Sequence, residues 1–228
     1  MRRRTFLSWS SGKDSAWALH VLRRQRDVEV VGLLTTVNRT AERVAMHAVR
    51  EQLLRAQAAA VGLPLLTVPI PSPCSNEEYE QAMHSAIAKL QQENVTCMAF
   101  GDLFLEGIRR YRENNLQGTG IEPLFPLWGS DTKQLAQRML RDGLRARVTC
   151  VDPRKLAASF AGRLYDQQFL DDLPDGVDPC GEHGEFHSFA FDGPMFRLPV
   201  GVVPGVVVER DGFIFADLLA PDFGQVTP

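Results

Sequence analysis

The sequence has no excess of basic residues that would attract a nucleic acid. Its 25 lysines and arginines face 28 aspartates and glutamates, so the formal net charge at pH 7 is −3. Proteins that bind nucleic acids through the phosphates usually carry a basic surface. One short basic run, RRYR at 109–112, is a candidate for a local basic patch. The charge balance therefore argues against a nucleic-acid partner for the chain as a whole.

Paired cysteines and long apolar runs are also missing. No two of the cysteines form a C-x-x-C pair; they are Cys74, Cys97, Cys150 and Cys180. A chain of 228 residues does not need disulfides to be stable, so we expect a reducing, cytoplasmic setting. No window approaches 18 consecutive apolar residues, and the apolar stretch after MRRR is too short for a signal peptide. We therefore expect no membrane span.

What the chain has is an alternation of apolar strands and amphipathic helices from residue 4 to about 100. The predicted strands are 4–9, 28–37, 63–70 and 95–101, and the predicted helices are 14–26, 42–62 and 75–93. Ser75 and Glu78 form a capping box at the start of the third helix. This order predicts an α/β fold with a mostly parallel sheet and helices on both faces. Such sheets bind ligands at the carboxyl ends of their strands.

The pattern changes after about residue 126. The elements expected there are a strand at 145–151 and helices near 131–142 and 153–170. Two Asp-Gly pairs follow, Asp192-Gly193 and Asp211-Gly212, each flanked by alternating apolar residues, which is a strong hairpin signal. We therefore predict an α/β domain over 1–126 and a smaller α+β domain with antiparallel hairpins over 127–228.

The first predicted strand runs into SSGKDS at 10–15, a small polar turn at the start of a helix. It is not a Walker A loop, because Leu7 stands where that motif has its first glycine and Asp14 follows the lysine. Backbone N–H groups at the helix start, the serine hydroxyls and Lys13 would all favour a phosphate, and Gly12 allows close approach. Asp14 would repel phosphate unless a cation such as Mg²⁺ lies between them. A capped turn with a solvated lysine is the structural alternative.

This loop resembles SGGKDS, the PP-loop of the N-type ATP pyrophosphatases, with Ser11 in the place of the first glycine. The blocks AMHAVREQLLRAQAAAVGLPLLTVPIP, FGDLFLEGIRRYRE, PLFPLW and DPCGEHGEFHSFAFDGPMF resemble the diphthine–ammonia ligase-like family of those enzymes. With the loop, they extend from residue 6 to about 196. The resemblance implies a Rossmann-like sheet of the HUP type and a PP-loop ATP-binding domain. It also implies that ATP is cleaved between its α and β phosphates, which adenylates a substrate oxygen and releases pyrophosphate.

The loop and the resemblance together single out three groups of candidate residues, with ATP and Mg²⁺ as the expected cofactors. The candidate ATP-binding residues are Ser10, Ser11, Gly12, Lys13, Asp14 and Ser15, with Asp14 also the candidate Mg²⁺ ligand. The candidate catalytic residues are Lys13, Asp14, Asp102, Glu182 and Glu185. The candidate substrate-site residues are His47, Arg109, Glu113, Cys180 and His187.

The segment CGEHGEF supports two different interpretations. Glu182 and Glu185 lie beside glycines, which is typical of a tight loop that presents acids to a cation or an amine. The G-E-x-G-E pattern resembles part of the family's substrate site, whereas a turn with two solvated acids is the alternative. Cys180, His183 and His187 have C-x-x-H-x-x-x-H spacing, which leaves a zinc site open, although a fourth ligand is missing nearby.

The segment GDLFLEGIRRYRE joins the end of a strand to a helix. We expect Asp102 at the strand end to face the ATP site. Arg109 and Arg112 could clamp a phosphate or a carboxylate, but a solvated helix face with an i,i+4 pair of Arg109 and Glu113 explains the charges equally well. His47 is a site candidate through the resemblance, while a lone helical histidine is more often structural.

Together these features predict an ATP-dependent ligase that activates a carboxylate as an acyl-adenylate and then forms an amide with ammonia or another amine. The expected partners are a small or protein-borne carboxylate and an amine donor, and a homodimer stays open. His187 replaces an acidic residue of the diphthamide enzymes, and Asp102 replaces a small apolar one. Both departures lie on the acceptor side, which predicts a sister branch with another carboxylate. The alternatives are a non-catalytic adenine-nucleotide sensor and a PP-loop tRNA-modifying enzyme.

Overall fold

The N-terminal part of the chain forms a mostly parallel sheet. The computed structural model describes residues 2–38, 43–44 and 49–221. The first elements are β1 (Arg3–Ser8), α1 (Lys13–Arg24), β2 (Val28–Asn38), β3 (Arg43–Val44), α2 (Glu51–Val61), β4 (Leu65–Ile70), α3 (Asn76–Gln92), β5 (Cys97–Ala99), α4 (Glu106–Leu116) and β6 (Glu122–Leu124). The parallel strands lie in the order β4–β2–β1–β5–β6, and β3 pairs antiparallel with the end of β2. The predicted Rossmann-like α/β fold class is confirmed.

Both faces of this sheet are buried, which explains why its strands read as continuous apolar runs. Leu7 belongs to one core cluster with Trp17 of α1, whereas its neighbour Phe6 belongs to a second cluster with Leu90 of α3 and Leu116 of α4. Successive side chains of a strand point to opposite faces, so both positions must be apolar. Burying a side chain of this size contributes about 1.5–3 kcal/mol to folding.

The strand order reverses between β1 and β5. From β1 the chain moves outward through β2 and β4 on one side, and it returns to β5 on the other side of β1. The loops that follow β1 and β5 therefore meet at the carboxyl ends of two adjacent strands. They lie very close, because a Cβ added to Gly101 would lie 3.1 Å from the backbone of Asp14 and Ser15. This reversal is the position where open α/β sheets form ligand crevices.

The C-terminal part forms an antiparallel sheet, as predicted. Its elements are α5 (Thr132–Arg141), β7 (Arg145–Val151), a short 3-10 helix (Ala158–Phe160), β8 (Leu164–Tyr165), α6 (Gln167–Asp171), β9 (Phe186–Asp192), β10 (Val203–Arg210) and β11 (Phe213–Leu219). Strand β7 pairs with β9 along its length, with β8 near its start and with β11 near its end, and β10 pairs with β11. The domain boundary at 126/127 falls between β6 and α5 and stays a prediction.

Two predicted helices differ from the structure. The helix predicted over 42–62 begins at Glu51, because residues 43–44 pair with β2 as β3 instead. The helix predicted near 153–170 is replaced by the 3-10 helix, β8 and α6. Gly162 interrupts that segment with a φ of 81°, and Asp166 starts α6 by accepting a hydrogen bond from the backbone of Phe169. Left-handed glycines and side-chain caps mark helix boundaries, and both signals fall inside the predicted span.

Of the two predicted hairpins, only the second is present. Asp211 and Gly212 have φ angles of 53° and 77° and form the two-residue turn between β10 and β11. The first prediction, at Asp192-Gly193, is wrong, because β9 pairs with β7 rather than with the residues that follow it. Pro194 comes directly after the turn, and a proline has no N–H to donate to a ladder.

The four cysteines carry free thiols, and three of them are buried. Within the described ranges, no helix is both long and apolar enough to cross a bilayer. The reducing, cytoplasmic location expected from the sequence stays a prediction.

Candidate functional site

A cleft of about 380 Å³ opens at the carboxyl ends of β1 and β5. Its main lining comes from three segments: the loop 10–15 apart from Ser11, the residues 100–102 after β5, and the segment 180–188 that leads into β9; Ser8 and the α4 side, with Arg112, complete it. The first two segments belong to the parallel sheet and the third belongs to the C-terminal part. The cleft is therefore built by both parts of the chain, and most of the predicted site residues meet there.

The loop 10–15 has a strained backbone at its second residue. Ser11 has a φ of 69°, the left-handed region that favours glycine. A residue with a side chain pays about 1–2 kcal/mol for this conformation. The carbonyl of Ser11 accepts hydrogen bonds from the N–H of Ala190, at 3.0 Å, and from Nε2 of Gln57, at 2.9 Å. These two bonds hold Ser11 in place.

Lys13 is buried, which contradicts the alternative of a solvated lysine. Its side chain is 2% exposed, and its Nζ donates to both carboxylate oxygens of Asp14, at 3.0 and 2.8 Å, and to the carbonyl of Cys180. Nζ also lies 5.5 Å from the ring centre of Tyr165 and 5.2 Å from that of Phe186. Burial alone would lower the pKa of Lys13, but the acidic neighbours raise it above its usual value. Lys13 therefore places a buried ammonium at the cleft wall.

Three carboxylates line the cleft and affect one another. Burial raises the pKa of Glu182, the backbone hydrogen bond of 2.8 Å from Leu103 to Oε1 lowers it, and the charges of Asp14 and Asp102 raise it again; together they place it at about 7. Burial also raises the pKa of Asp14 and of Asp102. Asp102 Oδ2 and Arg112 Nε form an ion pair at 3.5 Å without a well-formed hydrogen bond, and the charge of Arg112 partly offsets the effect of burial on the pKa of Asp102. A cation in the cleft would relieve this accumulation of negative charge.

Across the part of the chain that the structure describes, no three histidine, cysteine, aspartate or glutamate side chains converge well enough to hold a metal by themselves. The zinc alternative at Cys180, His183 and His187 therefore gains no support. Magnesium makes a weaker demand, because it usually binds through one or two carboxylates together with substrate phosphates and water. Asp14, which faces the cleft with 27% of its side chain exposed, fits that pattern.

Of the two predicted residues Glu185 and His187, only His187 lines the cleft. Glu185 is 3% exposed and does not line the cleft; its Oε1 accepts from the backbone N–H of Asp178, at 3.1 Å. Asp178 in turn accepts from the backbone N–H of Glu182, at 2.8 Å, so Glu185 supports the loop that carries Glu182. His187 lines the cleft, and burial together with the charge of Lys13 lowers its pKa to about 4. Its imidazole is thus neutral near pH 7.

Three other predicted residues do not line the cleft, and one of them is Ser11, a predicted ATP-binding residue that is fully buried. Arg109 Nε donates to Glu113 Oε1 at 2.8 Å, as in the i,i+4 alternative, and its guanidinium lies 4.9 Å from the ring centre of Phe125 and 4.8 Å from that of Trp128. Neither Arg109 nor Glu113 lines the cleft, although both stay candidates for contacts with a larger substrate. His47 falls outside the described residues.

A second pocket, of about 270 Å³, adjoins the cleft. Its walls are mainly apolar and come from β1, β2, α3, β5 and α4, with Leu34, Met83 and Met98 among them. Ser8, Ser10, Phe100 and Arg112 line both cavities, so the two are continuous around the end of β1. We call this cavity the adjoining pocket. The pocket was not predicted, because its apolar lining residues look like ordinary core positions in the sequence.

Sequence reasoning also missed two polar residues that support the loop. Ser188 Oγ accepts a hydrogen bond of 3.2 Å from the N–H of Lys13, the first residue of α1. Gln57 is fully buried and bonds to Ser11. A signal for Gln57 exists in the sequence, since it is a polar residue four positions after Leu53 on the apolar stripe of α2.

Two family models match the chain: the diphthamide synthase N-terminal domain over residues 3–122 and the diphthamide synthase C-terminal domain over residues 131–213. These matches confirm the resemblance inferred from the sequence motifs.

The individual relatives that the chain resembles are diphthine–ammonia ligases, at 27–28% identity. The chain is 28% identical over 159 residues to the diphthine–ammonia ligase of Bos taurus, covering 66% of this chain and 58% of that protein. It is 27% identical over 152 residues to the Homo sapiens diphthine–ammonia ligase, covering 63% and 55%. The Danio rerio diphthine–ammonia ligase is 27% identical over 176 residues, covering 68% of each chain. The matches thus span little more than half of the bovine and human proteins.

Proposed function

This chain belongs to the diphthamide synthase family, and we propose that it is an ATP-dependent ligase that adenylates a carboxylate and joins it to ammonia or another amine. The observation that carries the proposal is the arrangement at the strand-order reversal. There, the buried ammonium of Lys13 and the start of α1 face a cleft that also contains carboxylates. A phosphate is favoured at such a helix start, because the helix dipole and the N-terminal amides attract an anion.

The adjoining pocket gives the nucleotide a place for its base. Leu34, Met83 and Met98 form apolar walls that suit a flat, aromatic ring. A ribose at Ser8 and Ser10, which line both cavities, would direct the phosphates toward the loop 10–15. The order of base, sugar and phosphates along the end of β1 thus follows the order of apolar and polar lining residues.

Asp14 is the residue that we propose to hold Mg²⁺. Its carboxylate is paired with Lys13, and burial raises its pKa, so an additional cation would favour the ionised form. When bound, Mg²⁺ would supply charge neutralisation to the leaving pyrophosphate. Lys13, paired with Asp14, would act on the same developing charge, and its burial keeps water from weakening that interaction.

Glu182 is the residue that we propose to take up a proton from the amine. Its pKa of about 7 lies near neutral pH, which suits a general base. The hydrogen bond from the backbone of Leu103 fixes one carboxylate oxygen, and the support of Asp178 fixes the loop below it. His187 is neutral at this pH and contributes a polar surface to the acceptor rather than a charge. The remaining work is positioning of the carboxylate beside the α-phosphate.

The acceptor itself belongs beside Asp102, Arg112, Glu182 and His187, which we call the acceptor wall. Because Asp102 and His187 are the positions that depart from the diphthamide enzymes, we propose a small carboxylate other than diphthine as the substrate. The presence of Arg112 in this wall supports a carboxylate, which a guanidinium recognises well.

The direct test uses the purified full chain with Mg²⁺ and ATP, ammonium chloride and a panel of small carboxylic acids. Release of AMP and pyrophosphate in equal amounts, dependent on one of the acids, is the expected result. Binding of ATP without either product for any acid or for a cell extract would favour the sensor alternative. An absence of adenine-nucleotide binding would overturn the proposal.

A further inference from the structure

The amide of Gln57 ties the candidate phosphate loop to the C-terminal sheet. We infer that Gln57 is a positioning residue for ATP, holding the loop 10–15 in its binding conformation from α2 without touching the nucleotide. The inference rests on the proposed binding of ATP at this loop. It goes beyond that proposal, because neither the motif nor the lining of the cleft includes this residue.

The contacts of Gln57 use the whole side-chain amide. The residue is fully buried, its Oε1 accepts a hydrogen bond of 2.9 Å from Trp9 Nε1, and its Nε2 donates to the carbonyls of Ser11, at 2.9 Å, and Ala190, at 2.5 Å. An indole N–H can only donate and a carbonyl can only accept, so these partners fix which way the amide faces. Glutamate lacks the two donors and leucine lacks every polar atom. Glutamine therefore fits this position for a chemical reason.

The three partners belong to segments that must be aligned for the loop to work. Trp9 precedes the loop, Ser11 is its strained residue, and Ala190 lies in β9. Two further bonds join the loop to β9, from Ala190 N–H to the Ser11 carbonyl and from Lys13 N–H to Ser188 Oγ. Gln57, on α2, adds hydrogen bonds to both the loop and β9 and so stabilises the contact between them. Without it, the indole of Trp9 loses its acceptor and two buried carbonyls lose a donor, so the loop can leave its strained conformation.

The same contacts explain why a polar residue interrupts the apolar stripe of α2. An amide at such a position must lose its contacts with water, and this cost is offset only by good hydrogen bonds. The position makes physical sense when the orientation of the loop matters more than packing. Donors that bind a phosphate must be aligned closely, and small misplacements weaken binding steeply.

The test compares Gln57→Leu and Gln57→Glu with Leu54→Ala in the full chain. Leu54 is fully buried on the same helix and belongs to the apolar core, so its truncation lowers stability without removing a hydrogen bond to the loop. We expect all three variants to melt at lower temperature. Only the Gln57 variants should weaken ATP binding, by tenfold or more in Kd or in KM for ATP, with the KM for the acceptor acid nearly unchanged.

The Gln57→Glu variant adds a readout that a purely structural role would not move. The introduced carboxyl can donate one hydrogen bond when protonated and none when ionised. Its ATP affinity relative to wild type should therefore improve as the pH is lowered from 8 to 6, while the corresponding ratio for Leu54→Ala stays flat. If Gln57→Leu fails to fold, the pH dependence of Gln57→Glu still tests the positioning role.

The outcomes separate the inference from the proposed function. If wild type binds ATP and folded Gln57 variants bind it within twofold of wild type, the positioning role is overturned and the proposed function stands. If wild type itself does not bind ATP, both are overturned. A tenfold loss that Leu54→Ala shares equally would also overturn the positioning role, because loss of stability alone would then explain it.

Discussion

The two walls of the cleft differ in how completely their charged groups are hydrogen-bonded. On the loop side, the ammonium of Lys13 has three acceptors and the amide of Gln57 has three partners, although Ser11 Oγ is buried there without a hydrogen bond to a described residue. On the acceptor wall, Asp102 Oδ2 and Arg112 Nε form an ion pair at 3.5 Å, but both atoms are buried and make no hydrogen bond to any of the described residues. The charged groups of the loop are thus fixed by the chain itself, whereas the acceptor wall has charged atoms that a ligand could satisfy.

This difference suggests a division of work between the two walls. A fixed loop suits a ligand that is always the same, such as the phosphates of ATP. Unsatisfied groups suit the variable ligand, because the specificity of an enzyme within a family depends on which buried polar groups each substrate satisfies. Four substitutions, taken from the largest expected effect to the smallest, test this division.

The largest effect is expected at Lys13. Lys13→Met keeps the apolar volume but removes the ammonium, so the carboxylate of Asp14 and the carbonyl of Cys180 lose their donor. Turnover should fall by a factor of about 10²–10³ or more, as when a preorganised charge is removed from a reacting site. Pyrophosphate release measures the change, with Lys89→Met on the exposed side of α3 as the control. Turnover near the wild-type rate would remove Lys13 from the site.

A somewhat smaller loss is expected at Glu182, together with a change in pH dependence. Glu182→Gln removes the proposed base, which should lower turnover by a factor of about 10², the lower end of what general-base catalysis contributes. Wild-type activity should rise with pH through about 7, the pKa of Glu182, and the variant should lack this rise. If the activity of the variant still rose with pH through about 7, a group other than Glu182 would be responsible for the pH dependence.

The same residue gives a stability test. The folded-state pKa of Glu182, about 7, lies above the usual value of 4.5, so the folded protein binds this proton more tightly than the unfolded chain does. The ionisation of Glu182 therefore destabilises the fold progressively as the pH rises from about 4.5 to 7. We expect Glu182→Gln to be more stable than wild type above pH 7, with the difference shrinking toward pH 4.5 in urea unfolding.

A moderate effect is expected at His187, and it should be confined to the acceptor. His187→Glu introduces the acidic residue that the family resemblance implies at this position and adds a negative charge to the cleft that Glu182 also lines. We expect the ratio of kcat/KM between two acids to change about tenfold, which is the effect that one altered polar contact typically has. The Kd for ATP should stay within twofold of wild type. An unchanged preference would remove the basis for a sister branch.

The smallest effect is expected at Ser11. Ser11→Gly relieves a left-handed conformation worth about 1–2 kcal/mol but gives back about 0.5–1 kcal/mol in chain entropy. The net gain should raise the melting temperature by a few degrees at most, with unchanged ATP affinity if Gln57 fixes the loop. Differential scanning calorimetry measures the shift, and a loss of ATP binding would contradict the account of how the loop is held.

Local patterns were sufficient to predict the parallel sheet and the loop 10–15. The capping box of Ser75 and Glu78 is present, and the turn at Asp211-Gly212 has the expected left-handed residues. These features depend on neighbours within a few positions, which is why a single sequence reveals them. The helix predicted near 153–170 was wrong, because Gly162 adopts a left-handed conformation that interrupts a helix despite the apolar pattern around it.

Contacts between distant residues were beyond the reach of pattern analysis. The burial of Lys13 depends on the carbonyl of Cys180, 167 positions further along the chain, and the role of Gln57 depends on Ala190, 133 positions away. The sequence marks the lysine as special and the glutamine as out of place on an apolar stripe. It does not say which backbone atoms receive them, because that follows from how the two sheets meet.

The long separation between Lys13 and Cys180 has a consequence for synthesis on the ribosome. The first sheet is complete when residue 124 has been made. The carbonyl of Cys180, which accepts from Lys13, and the N–H of Ala190, which donates to Ser11, are added only later. A nascent chain of that length carries the loop without the strand that shapes it. The proposed ability to bind a nucleotide would therefore arise late in translation, after β9 has emerged, rather than with the sheet that carries the loop.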